Sequence, residues 1–221
     1  DGSTDSTEEI SRSFDKVRWY VRPSHDPLVR EEAKQRLELI DILRKYDSEY
    51  VLLLDSDEIP TPSIIPFLEK MPSDITAWKI RMINLWDDKS KYRTDSYTTK
   101  FGTSVNWNPF ATNFWGKCPL MKFDKECPYT YNLNVQKGGC SPNHPAPSNL
   151  PGEIQFTDEF YIMHYGKIAG DFLDEERLKF YAAIEAKDGK GSFESRLDWH
   201  REHNRTDTLA TQPTRSEWFW E

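Results

Sequence analysis

The residues best suited to chemistry are the acids of the segment Asp55-Ser56-Asp57-Glu58, which follows the apolar run at 50–54. On a strand, side chains two positions apart point to the same face, so Asp55 and Asp57 are expected to lie side by side. Adjacent carboxylates repel each other unless a cation joins them, and carboxylate oxygens suit Mg²⁺ or Mn²⁺, which keep positions open for phosphate oxygens. The segment therefore predicts a metal ion presented to a diphosphate. The alternative is a solvated acidic turn in which Asp57 or Glu58 caps the next helix.

A helix and a buried strand are predicted to position these acids. Apolar residues recur at helical spacing before the acidic segment, at Val29, Ala33, Leu37, Ile40 and Leu43. The continuous apolar run at 50–54 is typical of a strand buried on both faces, as in a parallel sheet covered by helices. Together these elements predict an α/β fold, in which ligands bind at the carboxyl ends of the strands.

Periodicity predicts further elements on either side of this unit. Strands are predicted where apolar residues alternate, at 17–21, 78–82 and 154–165. Helices are predicted at 62–71 and 174–187. Residues 84–131 are aromatic, polar and weakly periodic, 137–152 have the composition of a loop, and the last thirty residues are polar with a late aromatic cluster.

Composition limits the classes of partner. The 221 residues include 29 Lys and Arg against 37 Asp and Glu, a net charge of −8, whereas binding a nucleic-acid backbone needs a basic surface. No run approaches the roughly 18 apolar residues of a membrane-spanning helix. The widely spaced Cys118, Cys127 and Cys140 predict structural thiols in a reducing compartment. We therefore expect no nucleic-acid partner, no transmembrane segment and a cytoplasmic location.

Two segments together resemble a known family. The opening DGSTDST, followed later by YVLLLDSDE, is similar to the inverting glycosyltransferases of family 2, which have the nucleotide-sugar-binding GT-A fold. The resemblance implies that Asp1, with Ser3 in the same turn, contacts the nucleotide. It also implies that Asp55 contacts the ribose or the metal, that Asp57 is a metal ligand, and that Arg36 points into the nucleotide site. The implied cofactor is Mn²⁺ or Mg²⁺, and the implied donor is a UDP or GDP sugar.

The same resemblance extends more weakly to 160–181. His164-Tyr165 and the Lys179-Phe180-Tyr181 segment match a strand-end His-Tyr pair and the helix after it, which implies that His164 completes the metal site. A strand-end histidine is otherwise a buried hydrogen-bonding residue. The implied fold is a GT-A-like, mainly parallel central sheet flanked by helices, with a loop-rich acceptor half. The family's first β-α unit would precede the DGS turn, so we expect it to be missing from this chain.

The resemblance divides the chain into three parts. Residues 1–83 form the nucleotide-sugar-binding half, 84–188 form the acceptor-binding half, and 189–221 form a C-terminal extension. An inverting transfer needs a carboxylate to deprotonate the acceptor hydroxyl. Asp124, which follows a strand-like segment, is the preferred candidate among Asp87, Asp88, Asp124, Glu153 and Asp158. His144 in the Pro-rich loop and Trp115 are candidates for contacts with a carbohydrate or other hydroxyl acceptor; a plain loop histidine and a core tryptophan are the alternatives.

Two other functions remain open at this stage. The chain is alternatively a degenerate GT-A domain that acts as a non-catalytic binding or structural module. It is alternatively a metal-dependent nucleotidyltransferase. A calcium loop at residues 1–12 is disfavoured, because Ser6 and Arg12 occupy the positions that need Gly and a bidentate Glu.

Overall fold

The computed structural model describes residues 5–21, 32–112, 117–131, 147–150, 152–168 and 175–221. They form a mixed α/β fold with a seven-stranded curled sheet flanked by helices. The helices are α1 (Thr7–Arg12), α2 (Glu32–Leu43), α3 (Ile64–Leu68), α4 (Glu175–Lys187) and α5 (Phe193–His203). The strands are β1 (Tyr50–Leu52), β2 (Glu58–Pro60), β3 (Ile75–Trp86), β4 (Asp88–Arg93), β5 (Ser96–Thr98), β6 (Ser104–Asn106), β7 (Lys117–Lys122), β8 (Glu153–His164) and β9 (Thr211–Pro213).

Most neighbouring strands of the main sheet are antiparallel. The order runs β1-β7-β3-β4-β9, while β8 pairs with both β3 and β2, and β5 and β6 form a separate hairpin. Among the described residues, only the β3–β8 pair in the main sheet is parallel. The prediction of a mainly parallel sheet is therefore wrong. The prediction rested on the family resemblance and on the apolar run at 50–54, and the burial of a strand on both faces does not determine whether its neighbours run parallel or antiparallel to it.

Burial of β1 on both faces is confirmed. Val51 and Leu53 lie in a core cluster with Ile40 of α2. Leu52 and Leu54 pack on the opposite face, in the cluster that contains Trp78 and Phe160, as the two-residue period of a strand requires. This packing on both sides fixes the point at which the chain leaves the sheet and enters the acidic segment.

The other predicted elements have mixed outcomes. The helices predicted before residue 43 and at 174–187 are confirmed as α2 and α4, and the strands predicted at 78–82 and 154–165 are confirmed within β3 and β8. The strand predicted at 17–21 is wrong, because this described segment pairs with no strand. Val17 and Val21 are exposed and only Trp19 between them is partly buried, so the alternating positions do not form a buried apolar face.

Residues 189–221 contact the rest of the chain extensively. Helix α5 packs against α4, with Leu197 joining Leu178 and Ala182 in a small core. Strand β9 extends the sheet beside β4, and Trp218 lies in the cluster with Ile83. The polar sequence here gave no prediction of a helix, because α5 buries only a narrow apolar stripe. Among the described residues, no helix is both long and apolar enough to cross a membrane.

Candidate active site

A cavity of about 640 Å³ opens where β1 and β8 end. One side carries the acidic segment and the ends of β3 and β8, and the other side is built by α4 and α5. The lining includes Asp55, Asp57, Asn84, Trp107, His164, Lys167, Arg177, Tyr181, Glu185, Trp199, His200 and His203. The cavity therefore brings the predicted metal ligands together with α4, which the sequence predicted, and with α5, which it did not.

The acidic segment is a turn between β1 and β2. Strand β1 ends at Leu52, and the backbone N–H of Glu58 donates to the carbonyl oxygen of Asp55 at 3.1 Å. Asp55 and Asp57 therefore do not belong to one strand. The expectation that their carboxylates lie side by side on one face of a strand is wrong. Both still line the cavity, but each carboxylate has its own protein partners.

Asp55 is held by two cations. Arg36 Nη2 lies 2.6 Å from Oδ1, and Lys117 Nζ lies 2.9 Å from Oδ2. Burial by itself would raise the pKa of Asp55, but Lys117 and Arg36 lower it to about 2. Lys117 also pairs with the buried carboxylate of Glu58. The acids at 55 and 58 are therefore neutralised within the protein, by Arg36 and Lys117.

Asp57 and His164 meet at the ends of three strands. His164 ends β8, where it is paired with Glu58 of β2 on one side and with Asn84 of β3 on the other. His164 Nδ1 lies 2.9 Å from Asn84 Oδ1, and Nε2 lies 3.2 Å from Asp57 Oδ2. Nδ1 is thus directed at the Asn84 amide oxygen, which accepts, and Nε2 is directed at the Asp57 carboxylate. The hydrogen bond from His164 lowers the pKa of Asp57 against the opposing effect of burial.

Gly166 allows the chain to turn back tightly over this pair. The backbone N–H of Tyr165 donates to the Asp57 carbonyl at 2.8 Å. A Cβ at position 166 would lie 2.5 Å from Asp57 Oδ2 and 2.8 Å from His164 Nε2. These separations are shorter than van der Waals contact, so a side chain at 166 would displace the carboxylate or the imidazole.

The donor atoms fit a divalent cation in part. One ligand atom each from Asp57, Glu58 and His164 lies within 4.8 Å of the others. The carboxylate of Glu58 is already engaged by Lys117 and by the Asp55 N–H. Asp57 and His164 are therefore the candidate metal-binding side chains that line the cavity. A metal ion bound to them would keep coordination positions open for substrate oxygens. Exposed acidic groups are also common in proteins without a bound metal.

Two basic side chains line the cavity beside the Asp57–His164 pair. Lys167 is buried, and its Nζ lies 4.1 Å from the centre of the Trp107 ring. Arg177 Nη1 donates to the Gly166 carbonyl at 3.2 Å. Burial, together with Arg93 and Arg177, lowers the pKa of Lys167 well below its ordinary value, whereas Asp57 raises it. Lys167 and Arg177 are therefore close enough to repel each other.

Helices α4 and α5 contribute a carboxylate to the opposite wall. Glu185 Oε2 receives the Arg196 guanidinium at 2.6 Å from Nε and 2.5 Å from Nη2, and His200 Nε2 lies 3.2 Å away. These contacts all reach Oε2; among the described residues, none is recorded for Oε1. Arg196 thus fixes the carboxylate while leaving one oxygen for a ligand.

His203 makes the stability of this wall dependent on pH. Its ring stacks on Trp199 at 4.7 Å, and burial, aided by Lys167, lowers its pKa to about 4. A folded-state pKa below the unfolded value of about 6.5 means that the unfolded chain takes up the proton first, so stability is lost as the pH falls below that value. We expect about 2 kcal/mol to be lost between pH 7 and 5 through this group.

Urea denaturation of the wild type and of His203→Phe at pH 7 and pH 5 measures this contribution. The phenylalanine keeps a ring on Trp199 but does not titrate, so its stability should change less over the same interval. An equal pH dependence in the two proteins would show that His203 is not the group responsible.

The structure separates the predicted site residues into three groups. Asp55, Asp57 and His164 line the same cavity, and Arg36 is paired with Asp55. Asp124 lies in a different depression, beside Asp47 and Tyr129, that shares no described lining residue with the cavity. Asp1, Ser3, Trp115 and His144 lie outside the described residues.

Sequence reasoning missed several residues of the cavity. Lys117 had a detectable signal, since a lysine at the start of the apolar strand segment KCPLM is unusual unless it is paired. Gly166, directly after the His164-Tyr165 pair, had a weaker one. Lys167, Arg177 and Glu185 had no such sequence signal, because their positions depend on how α4 packs over the sheet.

In comparisons with family models, curated proteins and solved structures, nothing matches this chain.

Proposed function

We propose that this protein is a metal-dependent inverting glycosyltransferase, which moves a sugar from a nucleotide diphosphate sugar to a hydroxyl group. The observation that carries the proposal is the Asp57–His164 pair, 3.2 Å apart, which faces a cavity large enough for a sugar. The resemblance of the DGSTDST and YVLLLDSDE segments to glycosyltransferases of family 2 supports the same reaction. A bound Mn²⁺ or Mg²⁺ would offset the charge that develops on the departing diphosphate.

A second groove fits the nucleoside part of such a donor. It has a volume of about 720 Å³ and is lined by Arg18, Tyr20, Arg36 and residues 50–54. Asp55 lines the cavity, and its partner Arg36 lines this groove. The Asp55–Arg36 ion pair thus separates the two spaces. We place the nucleoside in the groove and the sugar in the cavity, with the diphosphate near Asp57.

Glu185 is the carboxylate proposed to activate the acceptor hydroxyl. Among the cavity carboxylates, Asp55 is engaged by two cations and Asp57 is a proposed metal ligand, whereas Glu185 keeps Oε1 available. In the reaction, the hydroxyl proton passes to Glu185 and the hydroxyl oxygen bonds to the anomeric carbon. The bond from that carbon to the diphosphate breaks, and its electron pair leaves with the nucleoside diphosphate. Asp124 takes no part in this scheme.

Replacing Glu185 with glutamine tests its role. Glu185→Gln is expected to lower turnover by about 100-fold or more, since a positioned general base typically contributes 10²–10⁴. The matched control is Glu176→Gln on the same helix, where an exposed glutamate pairs with Lys179 and turnover should be unchanged. Turnover is measured as nucleoside diphosphate released, with water or a sugar as acceptor. Equal rates in the two variants would remove Glu185 from the mechanism.

The reaction itself is tested by analysis of products. The protein is incubated with UDP and GDP sugars, with Mn²⁺ or with EDTA, and the released nucleotides are separated by anion-exchange chromatography. The proposal predicts UDP or GDP, only with metal and not in Asp57→Asn. Release of a monophosphate or pyrophosphate would instead indicate a nucleotidyl or phosphoryl transferase, and no product from any donor would favour a non-catalytic binding module.

A further inference from the structure

Helix α4 presents one row of side chains to the cavity. Arg177, Tyr181 and Glu185 all line it. They are spaced four residues apart, so they lie on one face of the helix, about 6 Å from one to the next along its axis. The adjacent face of α4 is buried in the small core that it forms with α5. This packing fixes the rotation of α4 about its axis and keeps the row at the cavity.

The two tryptophans that line the cavity are covered by other side chains of the protein. Trp199 has His203 stacked on it at 4.7 Å and the Arg196 guanidinium over its ring at 4.6 Å. Trp107 has two basic side chains over its ring, at 4.1 and 4.8 Å. Neither ring is therefore well placed to stack on a ligand.

Tyr181 has no neighbour so close to its ring. Its recorded ring and cation neighbours are Phe180 and His200, both at 5.9 Å, and Arg177 at 5.8 Å. The Tyr181 residue is 38% exposed. A sugar ring carries an apolar face of C–H groups, and such a face packs on the apolar face of an aromatic ring. Among the aromatic residues that line the cavity, Tyr181 is therefore the one suited to stacking on a sugar.

Arg177 and Glu185 flank Tyr181 with opposite hydrogen-bonding character. Arg177 donates from Nη1 to the Gly166 carbonyl, and its guanidinium has further N–H donors. Glu185 can only accept, and among the described residues no contact is recorded for its Oε1. A hydroxyl both donates and accepts, so it can bind at either end of the row. A ligand amine would be repelled by Arg177 and a ligand carboxylate by Glu185, which favours a neutral ligand with several hydroxyls.

We infer that Arg177, Tyr181 and Glu185 form an acceptor subsite for a neutral sugar, whose ring stacks on Tyr181. The inference rests on the proposed function and deepens it, because it names a carbohydrate as the hydroxyl acceptor. Stacking on Tyr181 places one hydroxyl against Glu185, the group proposed to take its proton, while Arg177 holds a hydroxyl at the other end. Tyr181 determines specificity, since an acyclic alcohol has no ring to stack on it.

Saturation-transfer difference NMR in EDTA tests the subsite without donor or metal. The probes are the methyl glycosides of glucose, galactose, mannose and N-acetylglucosamine. The wild type is expected to bind at least one of them, and Tyr181→Ala should weaken that binding about 10-fold or more, the size of one aromatic stacking contact. Tyr181→Phe keeps the ring and should retain the binding. Phe180→Ala is the matched control, because Phe180 is a 44% exposed aromatic residue on the same helix that does not line the cavity.

Kinetics separate stacking from a structural role. With saturating donor and Mn²⁺, Tyr181→Ala should raise the KM for the sugar acceptor by about 10-fold and change kcat less, and Tyr181→Phe should restore the KM. Glycoside binding that depends on the Tyr181 ring, without any nucleoside diphosphate release, would leave the subsite standing and overturn the glycosyltransferase. No glycoside binding by the wild type, or equal binding by the wild type and Tyr181→Ala, would overturn the subsite even where the nucleoside diphosphate is released.

Discussion

Replacing Lys117 with methionine is expected to lower the free energy of unfolding by about 3–5 kcal/mol. The Lys117 side chain is 3% exposed and lies between the carboxylates of Asp55 and Glu58. Its loss would leave the Glu58 carboxylate, which is 1% exposed, without its partner cation in the interior. Breaking a buried ion pair by removing one partner is costly for this reason, even where the intact pair contributes little.

Urea denaturation monitored by tryptophan fluorescence measures this loss. Lys122→Met is the matched control, since Lys122 ends the same strand and donates to the carbonyl of the exposed Ser73, and it should cost about 0.5 kcal/mol or less. Adding Glu58→Gln to Lys117→Met should recover part of the stability, because the double variant no longer buries an unpaired charge. Equal losses in Lys117→Met and Lys122→Met would contradict the proposed network.

Replacing Gly166 with alanine is expected to reduce turnover by about 100-fold or more while leaving the fold intact. The added Cβ would press on Asp57 Oδ2 and His164 Nε2, and a displacement of roughly 1 Å at a reacting centre costs about 10²-fold. Gly166 does not have a positive φ, so alanine brings no backbone strain. Nucleoside diphosphate release and the melting temperature are measured on the same preparation.

Gly102→Ala is expected to lower stability without lowering turnover, the reverse of Gly166→Ala. Gly102 has a φ of 78°, and a Cβ there meets open space, so alanine should cost about 1 kcal/mol of stability and no activity. A Gly166→Ala protein that retains wild-type turnover would show that the Asp57–His164 spacing is not needed for the reaction.

Local sequence signals predicted the elements that carry the site better than the sheet that joins them. The apolar run before Asp55 correctly predicted a buried strand with an acidic end, and the strand ending at His164 was equally clear. The direction of pairing was not predictable, because an apolar strand looks the same beside a parallel or an antiparallel neighbour. The register that puts His164 between Glu58 and Asn84 depends on β2 and β3, whose pairing no local pattern specifies.

The proposed acceptor side was beyond sequence reasoning for a different reason. Glu185 and Arg196 are charged residues on two polar helices, and each looks like a solvated surface residue. Glu185 lines the cavity, with Arg196 paired to it, because α5 packs on α4 through Leu197, and that packing depends on contacts between distant segments. Asp124 was preferred for its strand-like context, whereas the structure places it in a separate depression.

Electron spin echo measurements on Mn²⁺ bound to the protein with UDP or GDP test the central claim most directly. The account predicts nitrogen modulation from one coordinated imidazole in the wild type, its loss in His164→Gln, and much weaker Mn²⁺ binding in Asp57→Asn. Mn²⁺ that shows no imidazole nitrogen, with identical spectra for the wild type and His164→Gln, would contradict a metal site at Asp57 and His164.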